Sequence, residues 1–221
     1  MSTFITLILS LLIGYIFGAI PFGYILVKIA KQVDLREIGS GRTGGTNAFR
    51  AAGVATGVIT SILDVLKGAC AVWVTRALFA DAVSTEWLPW LVAAAGVMSV
   101  AGHNWSVFIG WKGGAGTGPN VGWAMAVWWP VAIITCIVGG VLLISVGMAS
   151  VASLAVAALI PIIFAVRYFT GADPTAAHMV GGLITAAIVT WALRPNISRI
   201  IAGEERLVGP AAKRREKKES A

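Results

Sequence analysis

The chain has 221 residues, of which 57% are apolar and 12% charged, with a formal net charge of +7. Its mean hydropathy of +0.85 is outside the usual range of soluble domains. Such a composition excludes a soluble globular domain and predicts an all-α, polytopic membrane helix bundle.

The first apolar stretch, residues 4–27, carries no charge before Lys28. It is longer than the roughly 7–15-residue core of a secretory signal, and reads as a retained first span. Residues 28–50 then hold five bases. A second span is predicted over residues 52–78. Within it Asp64 and Lys67 are three apart and share one helix face, followed by Gly68. Charges at membrane depth pair or face a polar interior, so these two form a structural ion pair or part of a site wall.

Residues 76–86 have one base against two acids and fit the outer side; a third span follows over residues 87–101. Residues 121–193 have Arg167 and Asp173 as their only formal charges and suffice for three or four crossings. Residues 28–50 and the segment from Arg194 together contain 13 of the 17 lysines and arginines. The positive-inside rule puts both on the cytoplasmic side, with the N-terminus outside. Parity then favours seven spans, with breaks expected at Pro130, Gly139 and Gly140, Gly147 and Pro161. Residues 1–207 are expected to form a single transmembrane helical domain, and residues 208–221 a basic cytoplasmic tail. A juxtamembrane basic run suits anionic lipid rather than nucleic acid. Cys70 and Cys136 lack the spacing of a disulfide framework or metal site, and no acidic cluster suited to Mg²⁺ is present, so no metal and no cofactor are expected.

Three polar segments break the apolar pattern, all on the predicted cytoplasmic side. The first, residues 39–50, reads GSGRTGGTNAFR. Its glycines let the backbone turn with N–H groups convergent, a nest for phosphate oxygens, to which Arg50 adds a clamp. The second, residues 102–120, reads GHNWSVFIGWKGGAGTGPN, with Lys112 as a point charge and His103 as a candidate acid or base. It lacks the order of a Walker loop. The third, residues 194–206, reads RPNISRIIAGEER. Two glycine-rich basic loops on one face suit one anion. A small-solute transporter would instead place polar groups at mid-depth, within internal repeats.

In the order and spacing of these segments the chain resembles the bacterial acyl-phosphate:glycerol-3-phosphate acyltransferases. Their first motif, GSGNxGxTNxxR, is matched by Gly39, Ser40, Gly41, Gly44, Thr46, Asn47 and Arg50, with Arg42 in place of Asn. The second, GHxW then FxGFKGGKG, is matched by Gly102, His103, Trp105, Phe108, Gly110, Lys112, Gly113, Gly114 and Gly116, with Ala115 in place of Lys; Thr117, Gly118 and Pro119 stand for VAT. The third, HRxNIxRLLxGxE, is matched by Arg194, Asn196, Ile197, Arg199, Gly203 and Glu205. Leu193 occupies the position of the motif's His.

The resemblance implies an enzyme of phospholipid biosynthesis in the cell membrane, with its active site toward the cytoplasm. It would transfer a fatty acyl group from acyl phosphate to glycerol 3-phosphate and form lysophosphatidate. Its partners would be those two substrates and membrane lipids, with no nucleic acid and no protein partner evident. Ser40 is the expected catalytic residue. Gly39, Gly41, Thr46, Asn47, Arg50, His103, Lys112, Gly113, Gly114, Arg194, Asn196 and Arg199 are expected to bind substrate, with Arg50, Lys112 and Asn196 on phosphate. In the family the third-motif His belongs to the active site, so Leu193 leaves two alternatives open. One is a homologue with altered substrate or a non-catalytic, lipid-binding role; the other is an enzyme that works by proximity and charge, because an acyl phosphate is already activated. The His-x4-Asp chemistry of other acyltransferases is absent, since Phe108 follows His103 and Leu183 follows His178 at that spacing.

Overall fold

A computed structural model describes residues 2–209 and Ala212; the basic tail expected over residues 208–221 lies almost wholly outside them. The described residues form helices and no strand, in the order α1 (Thr3–Ala19), α2 (Phe22–Lys31), α3 (Gly45–Ala52), α4 (Val54–Phe79), α5 (Leu88–Asn104), α6 (Thr117–Val127), α7 (Pro130–Ser145), α8 (Ala149–Phe169) and α9 (Ala177–Ile201). Five segments are long and apolar enough to cross a membrane: Thr3–Lys31, Val54–Phe79, Leu88–Ile109, Ala149–Phe169 and Ala177–Ile201. The outer surface carries bare Phe4, Ile16, Val58, Ile62, Leu78, Ile133 and Ile162, a pattern that water would not tolerate and lipid does.

The first apolar stretch is one segment in two helices. Pro21 lacks an N–H and ends α1, and the chain resumes as α2 after a kink. The carbonyls freed there are used: Ala19 O accepts from Ser106 Oγ at 2.6 Å and Ile20 O from Lys67 Nζ at 2.8 Å. Helix contacts rest on small residues. A Cβ on Gly14 or Gly18 would overlap the α5 backbone at Ala95 and Ser99, and one on Gly68 or Gly122 would overlap Pro119 and the α4 backbone at Val65. Such close approach replaces the hydrophobic drive that lipid does not supply.

Four helices, α6 to α9, occupy residues 117–201. Two of the expected breaks are real: Pro130 opens α7, and Gly147, at φ +76°, separates α7 from α8. Two are not. Gly139 and Gly140 lie inside α7, and Pro161 lies inside α8, where Gly182 of α9 comes close enough that a Cβ would meet the proline ring. Packing by a neighbouring helix tolerates the missing hydrogen bond. Trp123, Phe164, Ile160, Val131 and Val189 form the core between α6 and α9. Because α5 to α9 alternate in direction and α1 packs parallel to α5, the three polar segments gather at one end of the bundle.

Candidate active site

At that end the loop of residues 35–44 is built around one side chain. Asn47, buried near the start of α3, donates through Nδ2 to Leu35 O (3.2 Å), Ile38 O (2.9 Å) and Arg42 O (2.9 Å), and accepts from Ser40 N at 3.2 Å. Gly39 at φ +54° and Gly41 at φ +70° supply the left-handed turns that bring those carbonyls inward. Asp34 closes the loop from outside. It accepts from Arg36 Nε at 3.0 Å and Nη2 at 2.6 Å, while Arg36 Nη1 reaches Ile109 O at 3.0 Å. The Arg36 guanidinium lowers the Asp34 pKa to about 2. The first two polar segments also meet through Thr43 N, which donates to Gly113 O at 3.4 Å.

Beneath the loop lies a cavity of about 330 Å³ with a polar rim and an apolar arm. Ser40, Arg42, Thr46, Asn47, Arg50, His103, Asn196, Glu205 and Arg206 line the rim; Val65, Val121, Cys136, Gly140, Leu143 and Val156 line the arm, between α7 and its neighbours. Ser40 Oγ makes no hydrogen bond among the described residues. Arg50 and Arg206 line the same rim; burial first, and Arg206 second, lower the Arg50 pKa.

Asp64 lies in the cavity wall and belongs to a buried knot. Lys67 Nζ pairs with Asp64 Oδ1 as ions 2.8 Å apart, donates to Ile20 O at 2.8 Å and lies 2.8 Å from His103 Nδ1. An ammonium has donors and no acceptor, so His103 Nδ1 accepts from Lys67. His103 Nε2 faces Gly114, where a Cβ would overlap the ring. The Asp64–Lys67 pair is both an ion pair and part of the wall.

The third segment forms an internal network. Glu205 Oε1 accepts from Asn196 Nδ2 (2.7 Å) and Ser150 Oγ (2.9 Å), and Oε2 accepts from Arg199 Nε (2.9 Å). Burial raises the Glu205 pKa, but these three donors outweigh it and leave it below the ordinary carboxylate value. Asn196 Oδ1 accepts from Arg42 Nη2 at 3.0 Å, and the same nitrogen donates to Ala192 O. Residues 202–209 therefore form a strap across the cavity rim, fastened again where Val208 N donates to Gly147 O at 2.8 Å.

Of the residues expected at the site, Ser40, Thr46, Asn47, Arg50, His103 and Asn196 line the cavity. Gly39 and Gly41 shape the loop, and Gly113 and Gly114 let it pack on the end of α5, where a Cβ would strike the His103 carbonyl or ring. Lys112 and Gly113 line a second cavity of about 310 Å³ with Asp34, Arg36, Glu37 and Gly41. The left-handed turns at Gly110 and Trp111, both φ +64°, aim that segment away from the first cavity. Arg194 lies over the Trp191 ring, 4.1 Å from its centroid, and Arg199 is spent on Glu205. Sequence reasoning did not single out Arg42, Glu205, Arg206 or Ser150 as site residues. The third-motif match and the Asn-to-Arg departure were the available signals for Glu205 and Arg42.

A sequence profile described as "Glycerol-3-phosphate acyltransferase" matches residues 8–203. Among relatives of that description, the protein of Parasynechococcus marenigrum is 34% identical over 209 residues, covering 94% of this chain and 92% of its own. That of Gloeobacter violaceus is 35% identical over 200 residues, covering 90% and 94%. The fold is similar to crystal structures of PlsY (YgiH), an integral membrane glycerol 3-phosphate acyltransferase. Its glycerol 3-phosphate form gives a TM-score of 0.76 at 31% identity, covering 92% of this chain and 96% of that one. Its lysophosphatidic acid form gives 0.74 at 29% identity, covering 93% and 97%.

Proposed function

Because the chain belongs to the glycerol-3-phosphate acyltransferase family and acylates glycerol 3-phosphate, we propose that its donor is an acyl phosphate and that the transfer takes place in the cavity beneath the Ser40 loop. The observation that carries this reading is the cavity's division. Arg42, Arg50 and Arg206 stand at a rim of a size for phosphate groups, and the apolar arm along α7 suits an acyl chain reaching toward lipid. The reacting carbonyl would lie at the junction, next to Ser40.

In this reading Ser40 Oγ and the loop amides hold the acyl carbonyl and its phosphate. The hydroxyl oxygen of glycerol 3-phosphate attacks the carbonyl carbon, the bond from that carbon to the phosphate oxygen breaks, and the hydroxyl proton leaves on inorganic phosphate. Lysophosphatidate remains. His103 is tied to Lys67 through Nδ1, so it serves as a wall of the cavity rather than as the base. Leu193 contributes no proton chemistry, and positioning with charge stabilisation supplies the rate. The polar end bears the basic loops and would face the cytoplasm across the cell membrane.

The test is turnover by the purified protein in lipid, with palmitoyl phosphate and radiolabelled glycerol 3-phosphate. Labelled lysophosphatidate is expected, and Ser40→Ala should lower kcat about 10²-fold or more. Turnover with acyl-CoA but not with acyl phosphate would reject the donor. No turnover with either would leave a lipid-binding homologue as the better reading.

A further inference from the structure

The charges around the cavity are of two kinds. Asp64 is neutralised by Lys67, and Glu205 by Arg199. Arg42 has neither arrangement. Its Nη2 donates to Ala192 O and, at 3.0 Å, to Asn196 Oδ1, both neutral acceptors. Among the described residues no carboxylate lies within ion-pair distance of it. Burial first and the nearby Arg199 second lower its pKa, as expected of a cation short of counter-charge. The N–H groups on Nε and Nη1 have no partner among the described residues and are not sealed in protein, while Arg42 lines the cavity. A guanidinium pinned at one end by neutral oxygens, with three donors left over, is preorganised for an anion.

Its anchors say where. Ala192 directly precedes Leu193 on α9, and Asn196 follows one turn later, so Arg42 is fastened to the helical turn that presents Leu193 to the same cavity. The two departures from the motif pattern, at the Asn and the His positions, are far apart in sequence and meet at this one place. Leucine there supplies no ring that could take or give a proton, beside an arginine that reaches across from the loop.

Building on the acyl-transfer reading, we infer that Arg42 is the anion-binding residue that takes over the place of Leu193 in this cavity, gripping phosphate oxygens of a reactant through Nε and Nη1 while Nη2 stays pinned to α9. Arg42 stays protonated at any working pH and takes no proton. It therefore acts by charge alone, and Arg42 and Leu193 function as a pair.

The pair is tested by a cycle of Arg42→Asn, Leu193→His and the double variant, with Arg42→Lys as the conservative control, each purified in detergent and assayed in lipid. Arg42→Asn should raise KM for a phosphorylated reactant, or lower kcat/KM, by about 10–100-fold with an unchanged elution profile. Arg42→Lys should fall between it and the parent, with the loss in KM. Leu193→His alone should bring no gain, and the double variant should recover at least about tenfold over Arg42→Asn. Parent-like kinetics in Arg42→Asn, or additive effects around the cycle, would overturn the inference. If Arg42→Asn aggregates, the KM effect in Arg42→Lys decides, and its absence overturns the inference. An arm without turnover separates this from the enzyme reading: inorganic phosphate should raise the Tm of the parent and not of the Arg42 variants. An equal rise in both removes Arg42 from the anion site even if the parent proves inactive.

Discussion

Arg50 shows what one side chain can contribute at the rim. It has no carboxylate within ion-pair distance among the described residues, and burial with the nearby charge of Arg206 lowers its pKa. A charge-assisted hydrogen bond contributes about 1.5–3 kcal/mol, so Arg50→Ala should raise the KM for glycerol 3-phosphate by about one to two decades while the protein elutes as before. An unchanged KM would take Arg50 out of substrate binding. Lys67 is the opposite case, a charge whose partners are all internal. Lys67→Met leaves Asp64 buried without its cation and should cost about 3–5 kcal/mol, read as a large drop in Tm. The double variant Lys67→Met/Asp64→Asn removes the unpaired charge and should regain much of that loss. Equal Tm values for the single and double variants would mean the pair is not coupled. Asn47 belongs with Lys67: its amide nitrogen is used on loop carbonyls and sets the geometry of the loop.

At the scale of elements, the strap after α9 is held by the ionised form of Glu205. Since its pKa in the fold lies below the ordinary 4.5, the strap's contribution is complete above that value and is lost as pH falls through the lowered one. Tm measured down the acid range should therefore fall with a component that Glu205→Gln abolishes. A parallel fall in both proteins would show that the strap does not sense protons through Glu205. The elements also show what a sequence discloses. Long apolar runs placed α4, α5 and the N-terminal pair within a few residues, and Pro130 and Gly147 marked real breaks. Gly139, Gly140 and Pro161 misled, because a helix keeps glycine or proline where a neighbour packs on it, and that neighbour is invisible in a linear pattern. The same holds for the site. Residue types and order disclosed the two glycine loops and the basic face. Which basic side chain enters the cavity depends on the turns at Gly110 and Trp111 that carry Lys112 and on the reach of Arg42 to α9, a contact made across 150 positions.

For the whole molecule, the alternation of helix directions and the parallel packing of α1 on α5 put the loop and strap segments at one end and the chain's start at the other. The basic residues follow that division, so a reporter fused ahead of Met1 should appear on the outer side and one after Ala221 in the cytoplasm. Both on one side would exclude an odd number of crossings. Both ends carry exposed aromatics of the kind that settle at a membrane surface: Phe108 and Trp111 at the end that bears the cavity, and Trp87, Trp90, Trp129 and Phe169 at the other.

The strap also sets an order of events in biosynthesis. Glu205 and Arg206 follow α9, the last of the helices α1 to α9 among the described residues, so every membrane helix precedes the segment that finishes the rim of the pocket. A chain stopped after Ala202 should insert and sediment like the parent yet show little transfer, and a synthetic peptide of residues 203–209 should not restore it readily, since a free segment forfeits the high effective concentration of a tethered one. On that expectation the helices supply the bundle and the strap supplies the finished pocket, so chains cut short within the strap would stay in the membrane as inert bundles.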